Sequence, residues 1–161
     1  MMRYLFASLA IVASMGLAGC GLSPQYLTPE PRFTGQLARV GQGQPVVVRV
    51  SDARTSQVIG TRGGLYAHSS AITVNSQAFL PRLQAETDAA VRMLGFTPMQ
   101  QGSGEAQLNL KLIGLSYKSV AGGVIKDAQL NAVYALEVQN GTRRYNGRYA
   151  ANLTQGYAKA P

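Results

Sequence analysis

AQLNLKLIGLSYKSV, residues 106–120, is the stretch that decides the fold. Leu108, Leu110 and Leu112 recur at every second position, the period of a strand with one face in a core. The apolar positions then change to Ile113, Leu115 and Tyr117. A β-bulge or twist near Gly114 accounts for such a change. Gly122-Gly123 supply a turn. AQLNAVYALEVQ, residues 128–139, follows with Leu130, Ala132, Tyr134, Leu136 and Val138 on one face. Asn140-Gly141 is the strongest short hairpin signal in the chain. RRYNGRYAANLTQGY, residues 143–157, returns with Tyr145, Tyr149, Ala151, Leu153 and Tyr157 on one face. These three segments predict a three-stranded antiparallel meander.

Upstream, NSQAFLPRLQAETDAAVRMLGF, residues 75–96, reads as a helix. Asn75 or Ser76 can cap its start. Pro81 must lie near the first turns, where a missing N–H does least harm. Phe79, Leu80, Leu83, Ala90, Val91 and Leu94 form an apolar stripe at helical period. Gly95 is a C-terminal stop, and Phe96 can pack back over the last turn. Glu86 with Arg82, and Asp88 with Arg92, are spaced as i, i+4 ion pairs on a solvated face. Earlier still, PVVVRVSDAR, residues 45–54, predicts a strand through its alternating valines. QVIGTRGG, residues 57–64, reads as a short extended segment, followed by an irregular stretch to about Val74. The expected architecture is α+β: a two-layer sandwich in the order strand or strands, helix, three-stranded antiparallel meander, with the helix over one sheet face.

The 161 residues suit one domain, and 46% hydrophobic with 14% charged residues is a globular composition. The formal charge is +8. A basic chain attracts anionic polymers and membranes. The basic residues are nevertheless scattered, with only Arg143-Arg144 adjacent and no run of five, so the charge reads as solubility and weak attraction rather than as a nucleic-acid site.

At the N-terminus, Arg3 is the sole charge before Glu30, and YLFASLAIVASM, residues 4–15, is an apolar run of signal-peptide length. It falls short of the roughly 20 residues a membrane-spanning helix needs. Leu17, Ala18, Gly19 and Cys20 close it. This is the pattern of the bacterial lipobox, and Cys20 is the only cysteine. A thiolate is the strong nucleophile among side chains. The resemblance implies cleavage before Cys20, diacylglycerol on its sulfur and a further acyl chain on the freed amine, with no other cofactor. Gly21 follows, where an Asp retains enterobacterial lipoproteins in the inner membrane, so the expected location is the outer membrane, facing the periplasm. The divisions are a lipoprotein signal peptide (1–19), a lipidated Cys20 with a Pro/Gly-rich tether (20–44) and a periplasmic domain (45–161). Pro24, Pro29 and Pro31 forbid a regular helix in the tether. As a flexible coil it would reach roughly 25–30 Å, with a short edge strand around Phe33–Val40.

Little else suggests chemistry. His68, the only histidine, lies beside Ser69 and Ser70 without a nucleophile-elbow motif. The acids Asp52, Glu86, Asp88, Glu105, Asp127 and Glu137 lack metal-ligand spacing. GTRGG, residues 60–64, is a turn whose amides and Arg62 could form a small anion site. Asp52 and Arg54 either tie down the exit of the first strand or join Arg62 in binding a ligand. The tyrosines of the last strand read as sheet core rather than as a stacking platform. No enzymatic activity is expected.

The order of elements, with SDAR at 51–54, IG at 59–60, LGF at 94–96 and the lipobox, resembles the YajG-like lipoproteins of Gram-negative bacteria, over roughly residues 17–157. The resemblance implies an uncharacterised envelope lipoprotein with no established enzymatic activity. It also implies a C-terminal amphipathic helix, which is missing here: the chain stops at AKAP, residues 158–161, as a shortened copy or a fragment. A sheet face left uncovered would invite self-association. The expected role is a non-enzymatic tethered module that binds an envelope protein or an anionic envelope polymer in the periplasm. The alternative is a structural accessory held to lipopolysaccharide or peptidoglycan by its basic surface.

Overall fold

The structure is a computed structural model and describes residues 24–33, 35–61, 69–102, 106–120 and 125–158. Among these are one helix and two sheets, the mixed content of an α+β chain. The strands are β1 (Gln25–Leu27), β2 (Pro45–Asp52), β3 (Val58–Thr61), β4 (Ala71–Val74), β5 (Thr97–Met99), β6 (Ala106–Val120), β7 (Ile125–Asn140) and β8 (Arg143–Ala158). The helix, α1, is Ser76–Met93. The larger sheet runs β5-β2-β6-β7-β8 and the smaller one β1-β4-β3.

The β2 valines make the centre of the larger sheet. Strand β2 pairs parallel with both β5 and β6. Val46 and Val48 pack with Val91 of α1, beside Phe96, Ala106 and Leu108. Val47 points to the other face and is also fully buried. The first half of β2 is therefore covered on both sides, and a continuous apolar run is what such a strand requires. Each such side chain contributes about 1.5–3 kcal/mol on burial. From Arg49 onward the outer face is exposed and alternation returns.

The irregularity in β6 lies where the sequence puts it. Leu112 pairs with Tyr134 and Gly114 with Val133, so the register slips by one residue between them. That slip keeps Leu108, Leu110 and Leu112 on the same face as Leu115 and Tyr117. Strands β6, β7 and β8 pair antiparallel in sequence order. Asn140 pairs with Arg143, so the two-residue turn between β7 and β8 is Gly141-Thr142. Gly141 has φ +57°, and no residue other than glycine has positive φ among those described. Glycine at the first central position alone is the type II′ arrangement, one position along from the Asn-Gly placement of a type I′ turn.

Helix α1 is capped as expected at its start: the Asn75 carbonyl Oδ1 accepts from the Gln77 amide at 2.8 Å. It ends in a Schellman pattern. The Gly95 amide donates to the Arg92 carbonyl at 2.9 Å and the Phe96 amide to that of Val91 at 3.2 Å, with Gly95 at φ +90°. Phe79, Leu83 and Val91 are buried along its inner face. A second core joins Phe79 and Leu83 to Ile59, Ile72 and Val74 of the small sheet and to Leu112 and Ala132 of the large one.

Three expectations are corrected. The i, i+4 pairs on α1 do not form. Arg82 pairs instead with Glu30 at 2.9 Å, and Glu86 accepts the Phe33 amide at 3.1 Å. Asp88 is buried and accepts from Gln84 at 2.8 Å. The helix face expected to meet water is thus partly covered by the chain that precedes β2. No strand forms among the described residues of Phe33–Val40; the strand in this region is β1, paired with β4. The stretch ending at Val74, expected to be irregular, contains β4.

Candidate functional site

Asp52 and Arg54 are the only described residues among those singled out for binding, and they meet at the end of β2. Asp52 is the last residue of that strand; two residues later the chain has turned enough for Arg54 to fold back over it. Arg54 Nε lies 2.9 and 3.1 Å from the two carboxylate oxygens, and Nη2 lies 2.6 Å from Oδ2. The Arg54 amide also donates to Asp52 Oδ1 at 3.0 Å. The side chains are 4% and 7% exposed for Arg54 and Asp52.

Two other elements close on the pair. Arg54 Nη2 donates to the Val74 carbonyl at the end of β4, at 3.1 Å. The Ser76 hydroxyl, in the first turn of α1, donates to Asp52 Oδ2. Because Asn75 takes the capping role, the Ser76 hydroxyl is left over for this contact. The hydrogen bonds from the Arg54 side chain are the largest influence on the Asp52 carboxyl. Burial opposes them and Ser76 assists them, and the carboxyl is held at about 2, below its ordinary 3.8.

This arrangement is a latch joining β2, β4 and the start of α1. The carboxylate is saturated with donors and is not free to ligate or to act as a base. The open valence is Arg54 Nη1, which is buried without a hydrogen-bond partner. A buried donor left in this way costs about 1–3 kcal/mol. Of the two readings of Asp52 and Arg54, the geometry matches the one in which they tie down the strand exit. Arg62, His68 and the lipobox residues Leu17, Ala18, Gly19 and Cys20 lie outside the described residues.

Sequence reasoning missed Ser76 as the third member of the latch. Its signal was present in the ambiguity over which residue caps the helix. Reasoning also missed Glu30, Phe33, Val40, Gly41 and Gly43, whose partners on α1 and just past its C-terminal end are more than fifty positions away.

Open clefts on the described surface include one of about 350 Å³ along α1, lined by Pro81, Gln84, Ala85, Asp88, Arg92 and Gln100. Another, of about 310 Å³, lies on the outer face of the large sheet, over Asn109, Glu137, Val138, Gln139, Arg144 and Asn146. Neither pairs a nucleophile with a base. Among the described residues no three His, Cys, Asp or Glu side chains cluster as metal ligands. No helix among them is long and apolar enough to cross a membrane.

Tyr145 and Tyr149 of β8 are not core; the side chain of Tyr157 lies outside the described residues. Tyr145, Tyr149 and Leu153 are 55%, 47% and 60% exposed. They lie opposite Val138, Tyr134 and Leu130, on the face that carries the core. The Tyr145 and Tyr149 hydroxyls are 2.9 Å apart. This side of the large sheet lies beyond the reach of α1, which packs on β2 and β5.

No protein-family profile matches the chain, and no curated protein matches it. A crystal structure of an uncharacterised protein superposes with a TM-score of 0.44 at 12% identity, covering 83% of this chain and 81% of that one.

Proposed function

We propose that the protein is a lipid-anchored lipoprotein of the bacterial envelope, a non-enzymatic binding module facing the periplasm from the outer membrane. The observation that carries this reading is Leu17-Ala18-Gly19-Cys20 closing an apolar run that begins after Arg3. Of the residues in the chain, Cys20 makes the clearest claim to a reaction, and it is one done to the protein. The resemblance to YajG-like lipoproteins belongs to the same proposal, as does the finer architecture: a two-layer sandwich in which α1 covers one face of a sheet that ends in the β6-β7-β8 meander.

The saturated Asp52–Arg54 latch supports a non-enzymatic module, since its groups serve the fold. The partner is an envelope protein, taken at a sheet edge or on the uncovered β7–β8 face, which also offers a surface for self-association. The net charge of +8 favours a second reading, attachment to lipopolysaccharide or peptidoglycan through the basic surface. Salt separates the two, because attraction between exposed charges is screened over about 8–10 Å at 0.1–0.15 M ionic strength. Retention on purified envelope polymer that vanishes at high salt supports the second reading.

The test of the anchor is fractionation of cells carrying Cys20→Ser. The wild-type chain is expected in the outer-membrane pellet after a salt wash, and the variant in the soluble fraction. A variant that stays in the pellet contradicts lipid anchoring.

A further inference from the structure

The segment expected to be a free tether is fastened first to β4 and then to α1, from the second turn of the helix to its C-terminal end. It begins at β1, where Gln25, Tyr26 and Leu27 pair with Ile72, Thr73 and Val74. It continues through Glu30, paired with Arg82, and Phe33, whose amide meets Glu86. It finishes at the far end of the helix. There the Val40 and Gly41 amides donate to the Leu94 carbonyl at 2.9 and 2.8 Å, and the Gly43 amide donates to that of Gly95 at 2.7 Å. The contacts advance along the helix in order, from its second turn to its C-terminal carbonyls. A flexible coil makes no such succession.

The direction of this strap fixes which end of the molecule is nearest Cys20. Gln25 is level with Ile72, and Ile72 is paired with Gly60 of β3. Gly60 lies against Tyr117 near the end of β6: a Cβ on it would fall 2.5 Å from the Tyr117 carbonyl oxygen. The start of the strap therefore sits at the end of the large sheet where β6 finishes. The Gly141-Thr142 turn and the start of β6 are at the opposite end. Only five steps of chain separate Cys20 from Gln25. Fully extended, they span at most about 18 Å.

We infer that the module stands on end at the membrane, with the Gly60–Tyr117 end of the sheet against the bilayer and the Gly141-Thr142 turn pointing away from it. The inference rests on the proposed lipidation of Cys20. The membrane is the partner of the Gly60–Tyr117 end because the anchor holds the start of the strap within about 18 Å of the lipid. The opposite end, carrying the exposed Arg143 and Arg144, is presented to the periplasm. The strap thus converts a spacer into an orienting device. A coil of the same length would let either end reach the lipid.

The experiment uses the full chain, processed in cells and reconstituted into vesicles of phosphatidylethanolamine and phosphatidylglycerol. Ser116→Cys and Thr142→Cys provide one thiol each for a donor dye, since a lipidated Cys20 has none to offer. Energy transfer to an acceptor on the lipid headgroups is read for both. The two positions are separated by about 35 Å of strand at 3.3–3.4 Å per residue. Transfer from position 116 is expected to exceed that from 142 several-fold. Equal transfer, or the reverse order, overturns the orientation while leaving the lipoprotein reading intact. Mass measurement of the same samples reports the anchor separately: an unmodified Cys20 overturns both. Glu30→Arg, which repels Arg82, combined with Gly41→Val, is expected to reduce the difference between the two positions. If this variant fails to fold, the comparison in the wild-type background still decides the orientation.

Discussion

Gly41 and Gly95 approach so closely that neither has room for a side chain. A Cβ on Gly41 would lie 2.7 Å from the Gly95 carbonyl, and one on Gly95 would lie 2.5 Å from the Gly41 oxygen. Gly95 follows the last turn of α1 and Gly41 lies in the last part of the strap, so this contact is where the segment preceding β2 locks onto the helix. Arg39 closes over the same point, its Cγ 2.8 Å from the position of a Gly95 Cβ.

Gly95→Ala is accordingly expected to destabilise the fold by about 2 kcal/mol or more, from a positive φ and overpacking together. Denaturant unfolding measures it. The strap amides of Val40, Gly41 and Gly43 are also expected to lose hydrogen-exchange protection in this variant. Unchanged stability and protection contradict the lock.

The latch makes stability depend on acid. The Asp52 carboxyl lies at about 2 in the folded chain, below its ordinary 3.8. A depressed carboxylate contributes its stability fully above the unfolded value and loses it as pH falls through the folded one. The contribution is roughly 2 kcal/mol. It is expected to be present at pH 6 and to disappear between about pH 4 and pH 2. Asp52→Asn removes this dependence and leaves Arg54 buried without its counter-charge, a change worth about 3–5 kcal/mol. Urea unfolding of both chains across this pH range checks the sign and the size.

Tyr145, Tyr149 and Leu153 form an apolar stripe in water on the β8 side of the large sheet. Leu153→Ser is expected to leave stability within about 0.5 kcal/mol, as for other exposed positions, while lowering concentration-dependent association in sedimentation. Identical sedimentation of the two chains contradicts self-association through this face.

The long elements were legible because they span several periods. Strand β6 announces its alternation through Leu108, Leu110 and Leu112, and even its bulge shows as a slip of the apolar register around Gly114. Helix α1 carries its cap, stripe and stop in plain view. Strands β1, β4 and β5, of three or four residues, are too short for a period to register. The ion pairs of α1 were misread because other partners displaced the expected ones: Arg82 and Glu86 answer to Glu30 and Phe33 across the fold, and Asp88 answers to Gln84 one turn back on the same helix. The hairpin was found, but its turn lies one residue further on, because pairing extends to Asn140 and leaves Gly141 in the first central position. For the site, the sequence singles out Asp52 and Arg54, and the structure joins them in an ion pair. Ser76 and the Val74 carbonyl, which decide that the pair serves the fold, come from elements the local pattern could not bring together.

The central claim, that this chain is held to a membrane by lipid on Cys20, is tested most directly by mass spectrometry of the N-terminal peptide from the processed protein. The account expects that peptide to begin at Cys20 and to carry the added mass of a diacylglyceryl group with an amide-linked acyl chain. A peptide that retains residues 1–19, or a processed one whose Cys20 bears a free thiol, contradicts it.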